Sequence, residues 1–474
     1  MAKQIHNPNV LDTENIGRLL IKLATPAFFG MFVQTLYNVI NTIFIGHYVG
    51  SLGIAGLSIV FPLQMLTYGI GMMVGMGGSS LISRLIGSGR TEEAERTVGN
   101  GISTAIIITI VFMIITLPFT EFWLRLIGAS DAVMPYASTY LIIIISGTVF
   151  NVLAMTLLNF ARAEGNARVG MVSMIIGAVL NIILDAIFII GLKMGVMGAG
   201  FATLIAQIVS MIYLFSYYFS GNSYLKIRWR NLRPDFSILK QMLAIGVGSF
   251  VQTMAGSISA MLLIHLVVKY GGDVALGAFG IVQRVMMFAT MPAMVLGQGV
   301  QPILGYNYGA RRYHLAIKSV KITVMVSTTL SLLAFAVLYL IPGPIVGIFT
   351  DESALIDTGV HISRLIFLSM PFMGLVMVGQ TIFQSIGKAL QTFILASVRP
   401  VVFLIPLVFL LSHYWQLDGV FLAYPVSDIL TLLLTFILVV PIYRQFRRAI
   451  TEQQAEVTSA YQPIDSAKSH STIK

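Results

Sequence analysis

Apolar stretches of about 20 residues recur from one end of the chain to the other, and no other feature constrains its fold as strongly. Such a stretch crosses a hydrocarbon core of about 30 Å. Backbone groups in that medium must satisfy one another, which leaves helices or closed barrels. Barrel strands alternate apolar and polar residues, and residues 102–117 do not. Of the 474 residues 57% are hydrophobic and 10% charged, against roughly a quarter charged in soluble domains. The reading is an all-α integral membrane protein. Helices are expected near 19–45, 54–78, 98–118, 135–158, 169–190, 199–219, 241–268, 274–300, 319–341, 360–384, 391–411 and 419–441. The absence of cysteine excludes disulfides, zinc–cysteine sites and Fe–S clusters. Residues 1–17 are polar and lack the apolar core of a signal peptide, so the first span is expected to serve as the insertion signal.

A net charge of +10 raises the question of a nucleic-acid partner. Its distribution answers it. With the N-terminus in the cytoplasm, 23 of the 29 Lys and Arg residues fall in cytoplasmic segments. Only Arg125, Lys193, Lys269 and Arg364 fall outside, and Arg284 and Arg399 lie within spans. This is the positive-inside pattern. It predicts a multi-pass protein of the cytoplasmic (inner) membrane with both termini cytoplasmic, whose basic groups meet lipid headgroups and need no nucleic acid.

The second half repeats the first. Phe32-Val33-Gln34-Thr35 returns as Phe250-Val251-Gln252-Thr253, with Lys22/Lys240 and Gly30/Gly248 in the same register. Gly75/Gly297, Gly77/Gly299, Gly87/Gly309 and Arg90/Arg312 follow with a shift of four. The pattern predicts an N-terminal lobe (1–219), a basic cytoplasmic linker (220–240), a C-terminal lobe (241–445) and a polar cytoplasmic tail (446–474), disordered after Arg448. Each lobe holds an even number of spans, so the two share one orientation. The pseudo-twofold axis then runs along the membrane normal, and a cleft lies between the lobes.

Ionisable groups within spans mark function, because each is costly in hydrocarbon. Two acids qualify, Asp185 and Asp428. Asp185 follows Asn181 by one helical turn. The first span carries Gln34, Asn38 and Asn41 on one face with Tyr37 beside them, and the sixth carries Thr203, Gln207 and Ser210. These stripes suggest a chamber lined by amides and hydroxyls around one carboxylate, fit to take a proton or to ligate a sodium ion. Packing through interhelical hydrogen bonds is the plainer alternative. Asp428 is expected to pair with Arg284 or Arg399. Pro26 removes a helical hydrogen bond and can bend the first span. Met286 and its neighbouring thioethers suit a surface that accepts varied ligands, and Gln252 lies in the repeat position of Gln34. No metal or nucleotide motif is present, so no cofactor is expected beyond a coupling ion, H⁺ or Na⁺.

The sequence also resembles a known family, multidrug and toxic compound extrusion (MATE), over roughly residues 15–445. The resemblance rests on Pro26, Gln34-Thr35-Leu36-Tyr37-Asn38, Gly46-His47-Tyr48-Val49-Gly50 and Ile82-Ser83-Arg84-Leu85-Ile86-Gly87. Phe160-Ala161-Arg162-Ala163-Glu164-Gly165 and Asn181-Ile182-Ile183-Leu184-Asp185 are its most specific elements. The pattern looks most like the DinF/MepA-type branch. It implies twelve helices in two lobes, functional as a monomer, exporting small organic cations or drugs in exchange for protons or sodium ions. It carries the family's ion site onto Asp185, Asn181 and Thr203, with Gln34 and Tyr37 nearby. Many members have an acid in the first span where this chain has Asn41. Acids used elsewhere in the family in spans seven and ten are absent here, where Gln252, Gln380 and Gln384 stand.

Two other readings compete. A lipid-linked oligosaccharide flippase of related architecture needs a strongly cationic cavity, and only Arg284 and Arg399 lie at depth. An intramembrane transferase needs clustered acids or a His/Asp pair at the membrane face, and neither is evident. The expectation is a transporter and not an enzyme.

Overall fold

The computed structural model describes residues 10–460 and is helical almost throughout. In chain order the helices are α1 (Ile16–Tyr48), α2 (Ser51–Gly87), α3 (Thr91–Thr116), α4 (Thr120–Ile127), α5 (Met134–Ser146), α6 (Thr148–Ala163), α7 (Ala167–Asp185) and α8 (Gly195–Phe219). They continue as α9 (Phe236–Gly309), α10 (Tyr313–Leu340), α11 (Pro342–Gly347), α12 (Ser353–Ile366), α13 (Met370–Ser385), α14 (Ala389–Ser397) and α15 (Ile405–Ala460).

Among the described residues, nine helical runs are long and apolar enough to cross a membrane, and the bent pair α5–α6 makes a tenth. Two of these runs are each a pair of spans. Within α9, Gly272 turns back at φ +64°, and within α15, Gln416 does so at φ +49°. The result is twelve crossings in two six-helix lobes. At Gly272 the absence of a side chain makes the left-handed turn inexpensive. The expected single span at 135–158 is instead broken by 49° at Gly147. There a Cβ would run into Leu204 of α8, so α8 can pack at the bend. Several helices outrun the hydrocarbon core. The 37 residues of α2 reach about 55 Å at 1.5 Å per residue.

The lobes meet mainly where α2 packs on α9, and glycines bring the two backbones together. A Cβ on Gly87 would strike the carbonyl of Tyr306, and one on Gly309 would strike the carbonyl of Arg84. These pairs are repeat-equivalent, so the pseudo-twofold axis passes between them. Nearby, Gly77 abuts the carbonyl of Met242, and Gly246 abuts that of Met73. Ser79 and its repeat-equivalent Gln301 approach at 3.5 Å, and Gln301 donates to the Met76 carbonyl at 3.3 Å. Arg312 forms an ion pair with Asp12, and Lys318 donates to the Glu14 carbonyl at 3.0 Å. All of these contacts lie toward the face that carries the start of α1. The molecule is therefore closed at that face.

The tail differs from its expected disorder. α15 continues as helix through Ala460. Phe446 is buried against Tyr308 and Tyr313, and Gln453 donates to the Arg311 carbonyl at 3.2 Å. Glu452, Gln453, Gln454 and Ala455 favour helix. Residues 461–474 of the expected tail, and residues 1–9, lie outside the described residues.

Candidate functional site: a carboxylate between α1, α7 and α8

α7 packs against both α1 and α8, and this brings the three polar stripes together. Asp185 is fully buried at the last position of α7, where the helix widens into a π-turn over Ala186–Gly191. Such bulges shift the backbone register and often coincide with functional positions. Asn181, one turn earlier, is buried as well. Its amide is oriented by its neighbours. With both ends satisfied, the nitrogen donates to Asp185 Oδ2 at 3.0 Å, and the oxygen accepts from the Thr203 N–H at 3.1 Å and Oγ1 at 3.2 Å. Thr203 of α8 thus holds Asn181, and Asn181 holds one oxygen of the carboxylate.

The other carboxylate oxygen, Asp185 Oδ1, is buried without a hydrogen-bond partner among the described residues, and so is Asn41 Oδ1 on α1. Buried polar atoms are nearly always satisfied, and an orphaned acceptor costs about 1–3 kcal/mol. Both oxygens are acceptors, and both lie in the first lobe.

The rest of the α1 stripe lines this region. Asn38 Nδ2 donates to the Gln34 carbonyl at 2.9 Å, and the Tyr37 hydroxyl lies within hydrogen-bonding reach of the Gln34 side chain. Gln207 is half-buried on α8 one turn beyond Thr203. Ser210 belongs to packing instead. It exchanges hydrogen bonds of 3.2 Å with Ser173 across the α7–α8 seam. Sequence reasoning missed Tyr140 and Gln64. Tyr140 is buried on α5 close enough to Asp185 to feel its charge, and Gln64 Nε2 reaches the Tyr140 hydroxyl at 3.4 Å. A tyrosine in an apolar run carries no signal of its own.

In the second lobe, Asp428 is fully buried and pairs with Arg399, which donates through both Nε and Nη2. Arg399 also sits in a π-turn, Val398–Leu404. Arg284, the other candidate, is exposed on α9. Gln252 exchanges hydrogen bonds of 3.1 and 3.0 Å with Gln380, while Gln384 donates to Ser249 Oγ at 3.0 Å. Met286 is half-buried on α9. Pro26 is buried within α1, which stays helical across it.

At the closed face, Glu164 follows α6 and is buried. It accepts from the Tyr217 hydroxyl at 2.7 Å, from Ser223 Oγ at 2.9 Å, and from the N–H groups of Tyr224 and Leu225 at 3.1 and 3.2 Å. Burial pushes its carboxyl up to about 7, and these donors work against that rise.

Comparison with known proteins finds transporters that resemble the chain over most of its length. A family model described as MatE matches residues 26–187 and 245–410. The multidrug export protein MepA of Staphylococcus aureus is 24% identical over 424 residues, covering 90% of this chain and 93% of that protein. MepA of Staphylococcus haemolyticus is 25% identical over 409 residues, covering 86% of this chain and 90% of its own length. The MATE multidrug transporter DinF-BH, solved in complex with the dye rhodamine 6G, is 40% identical and superposes with a TM-score of 0.84 over 90% of this chain and 96% of its own. A MATE family transporter solved in an outward-facing conformation shares the fold at a TM-score of 0.88 and 24% identity, over 94% of this chain and all of its own.

Proposed function

As a member of the MatE family, the chain is a multi-pass multidrug export transporter, and we propose that it expels organic, often cationic, amphiphiles by antiport with one H⁺ or Na⁺ bound at Asp185. The observation that carries the coupling reading is the pair of buried, unpartnered oxygens on Asp185 and Asn41. Asn181 orients the carboxylate, Thr203 orients Asn181, and Asn41 supplies a neutral oxygen where a second acid would add charge. One carboxylate balances one positive charge, so the proposed stoichiometry is one monovalent ion per cycle. Neutralising Asp185 lowers the cost of enclosing it away from water. That gives closure of the ion-filled lobe its free-energy advantage.

In this reading the N- and C-termini are cytoplasmic, the membrane is the inner one, and a monomer suffices. The face closed by α2 and α9 is then the cytoplasmic face, and the cleft stands open to the outside. The proposed boundaries follow: lobes over 1–219 and 241–445, joined by 220–240. Gln34, Tyr37, Asn38 and Gln207 in one lobe, and Gln252 and Met286 in the other, are proposed to line the drug path.

Rhodamine 6G, the compound held by the DinF-BH relative, is the natural probe. Its efflux would be followed in energised vesicles with the wild type and Asp185→Asn, under an imposed proton gradient and, separately, a sodium gradient. Efflux driven by one gradient and lost in the variant supports the proposal and names the ion. Full efflux by well-expressed Asp185→Asn rejects Asp185 as the coupling group.

A further inference from the structure

The segment that joins the lobes is fixed to the first lobe at every few residues. Glu164 grips Ser223, Tyr224 and Leu225. Glu95 accepts from the Lys226 N–H at 3.3 Å and pairs with Arg228 at 3.2 Å. Asn100 donates to the Asn231 carbonyl at 3.3 Å and accepts from the Asp235 N–H at 2.6 Å. Gly99 permits this approach, because a Cβ there would collide with the Asn231 carbonyl.

On this fixed frame two aromatic side chains face outward. Trp229 is 83% and Phe236 81% exposed. Around them Lys226, Arg230, Arg233 and Lys240 are exposed too. No ion pair among the described residues involves Arg230, Arg233 or Lys240. Asp235 is the one acid in the segment, while Glu92, Glu93 and Glu95 stand on the neighbouring turns of α3. Glu93 is engaged by Arg90, and Glu95 by Arg228.

The height of this group along α3 identifies its partner. Tyr224 meets Thr91 at the start of α3, and Asn231 meets Asn100, nine residues on, about 14 Å further along the axis. The apolar run of α3 begins two residues later, at Ile102. On the face of Asn100, at i+7, i+11 and i+14, stand Ile107, Val111 and Ile114, all exposed. An aliphatic stripe therefore rises directly above a basic and aromatic collar. Aromatic rings beside basic groups mark the headgroup level of a bilayer.

We propose that the linker and α3 form a binding site for an anionic phospholipid of the cytoplasmic leaflet. Its phosphate lies against Arg230 and Arg233, its glycerol region against Trp229 and Phe236, and an acyl chain along Ile107, Val111 and Ile114. The site rests on the multi-pass fold and takes its cytoplasmic side from the orientation proposed above, but it draws nothing from drug or ion coupling, so it stands or falls apart from the antiport reading.

The test uses the full chain, purified in detergent with equal phosphatidylglycerol and phosphatidylcholine. The lipid retained is counted by native mass spectrometry. Wild type is expected to retain phosphatidylglycerol preferentially, and the preference to fall in high salt. Each surface arginine is worth roughly fivefold for an anionic lipid, so Arg230→Gln/Arg233→Gln should lower the preference by about twenty-fivefold. Trp229→Ala/Phe236→Ala should reduce retention of both lipids. Arg444→Gln/Arg447→Gln/Arg448→Gln, at the far end of the chain, should leave the preference intact. A preference that survives Arg230→Gln/Arg233→Gln, that ignores salt in wild type, or that vanishes with the tail variant overturns the proposal. Displacement of the bound lipid by millimolar inorganic phosphate would also overturn it, by reassigning the basic collar to a free anion.

Discussion

At the scale of single residues, the two buried carboxylates of the spans have opposite surroundings. Asp428 faces a guanidinium and has both oxygens engaged, whereas Asp185 has an amide on one oxygen and no described partner on the other. The difference predicts different mutational behaviour. Arg399→Met strands a buried carboxylate and should destabilise the protein by about 3–5 kcal/mol, while Arg399→Met/Asp428→Leu should recover most of that loss. Thermal unfolding in detergent reads both, and a double variant no better than the single would show that the pair does more than neutralise itself. Asn181→Ala removes the amide that donates to Asp185 and should cost about 1–3 kcal/mol in the same assay. It should also lower gradient-driven efflux. The Asp185–Asn181 pair was legible in the sequence because a polar i, i+4 pair in an apolar helix stands out. Tyr140 and Gln64 were not, because the position of Tyr140 depends on how α5 meets α6 at Gly147, and a lone glycine in an apolar stretch does not by itself announce a bend.

At the scale of elements, the spans were legible because hydropathy and length decide them. The linker was not. Its docking depends on Glu95, Asn100 and Glu164, and polar residues near helix ends ordinarily face water. Only the structure shows them turned inward to hold backbone groups between Tyr224 and Asp235. The docking carries a pH signature. Burial raises the Glu164 carboxyl from its ordinary value to about 7, so the folded linker binds a proton more readily than the unfolded one. A raised folded value adds stability that is fully present below the ordinary carboxylate range and is lost as pH rises through 7. Amide hydrogen exchange at Tyr224 and Leu225, corrected for its intrinsic rate, should therefore show weaker protection at pH 8 than at pH 6. Glu164→Gln should flatten that difference; an unchanged pH response in the variant would assign it to another group. The end of α15 was missed for a similar reason. Its residues are polar, and composition alone cannot distinguish a solvated helix from a disordered tail.

At the scale of the whole molecule, duplication was legible from the ordered glycine matches, and the pseudo-twofold passes between one of those matched pairs, Gly87 and Gly309. Closure of one face rests on α2 against α9, with Asp12–Arg312 and Lys318–Glu14 at its margin. The Asp12–Arg312 pair is partly exposed, so its worth is about 1 kcal/mol or less. Asp12→Asn should then shift the balance between closed and open states of this face by no more than about fivefold. Because the natural chain has no cysteine, a single Ser80→Cys reporter can read this as faster thiol labelling. A block of labelling as complete as in the parent would show that the glycine crossing alone keeps the face shut.

That crossing has a mechanical consequence. Where Gly87 and Gly309 meet the carbonyls of Tyr306 and Arg84, the lobes touch backbone to backbone. Such a surface behaves as a bearing. Tilting on it is opposed by the side chains that surround the pivot, such as Ser80 on the Gln384 carbonyl and Ser83 against Gly305, and not by the pivot itself. Its balance is equally exacting, since a methyl group added on one side of the axis alone acts as a shim and tips one lobe relative to the other.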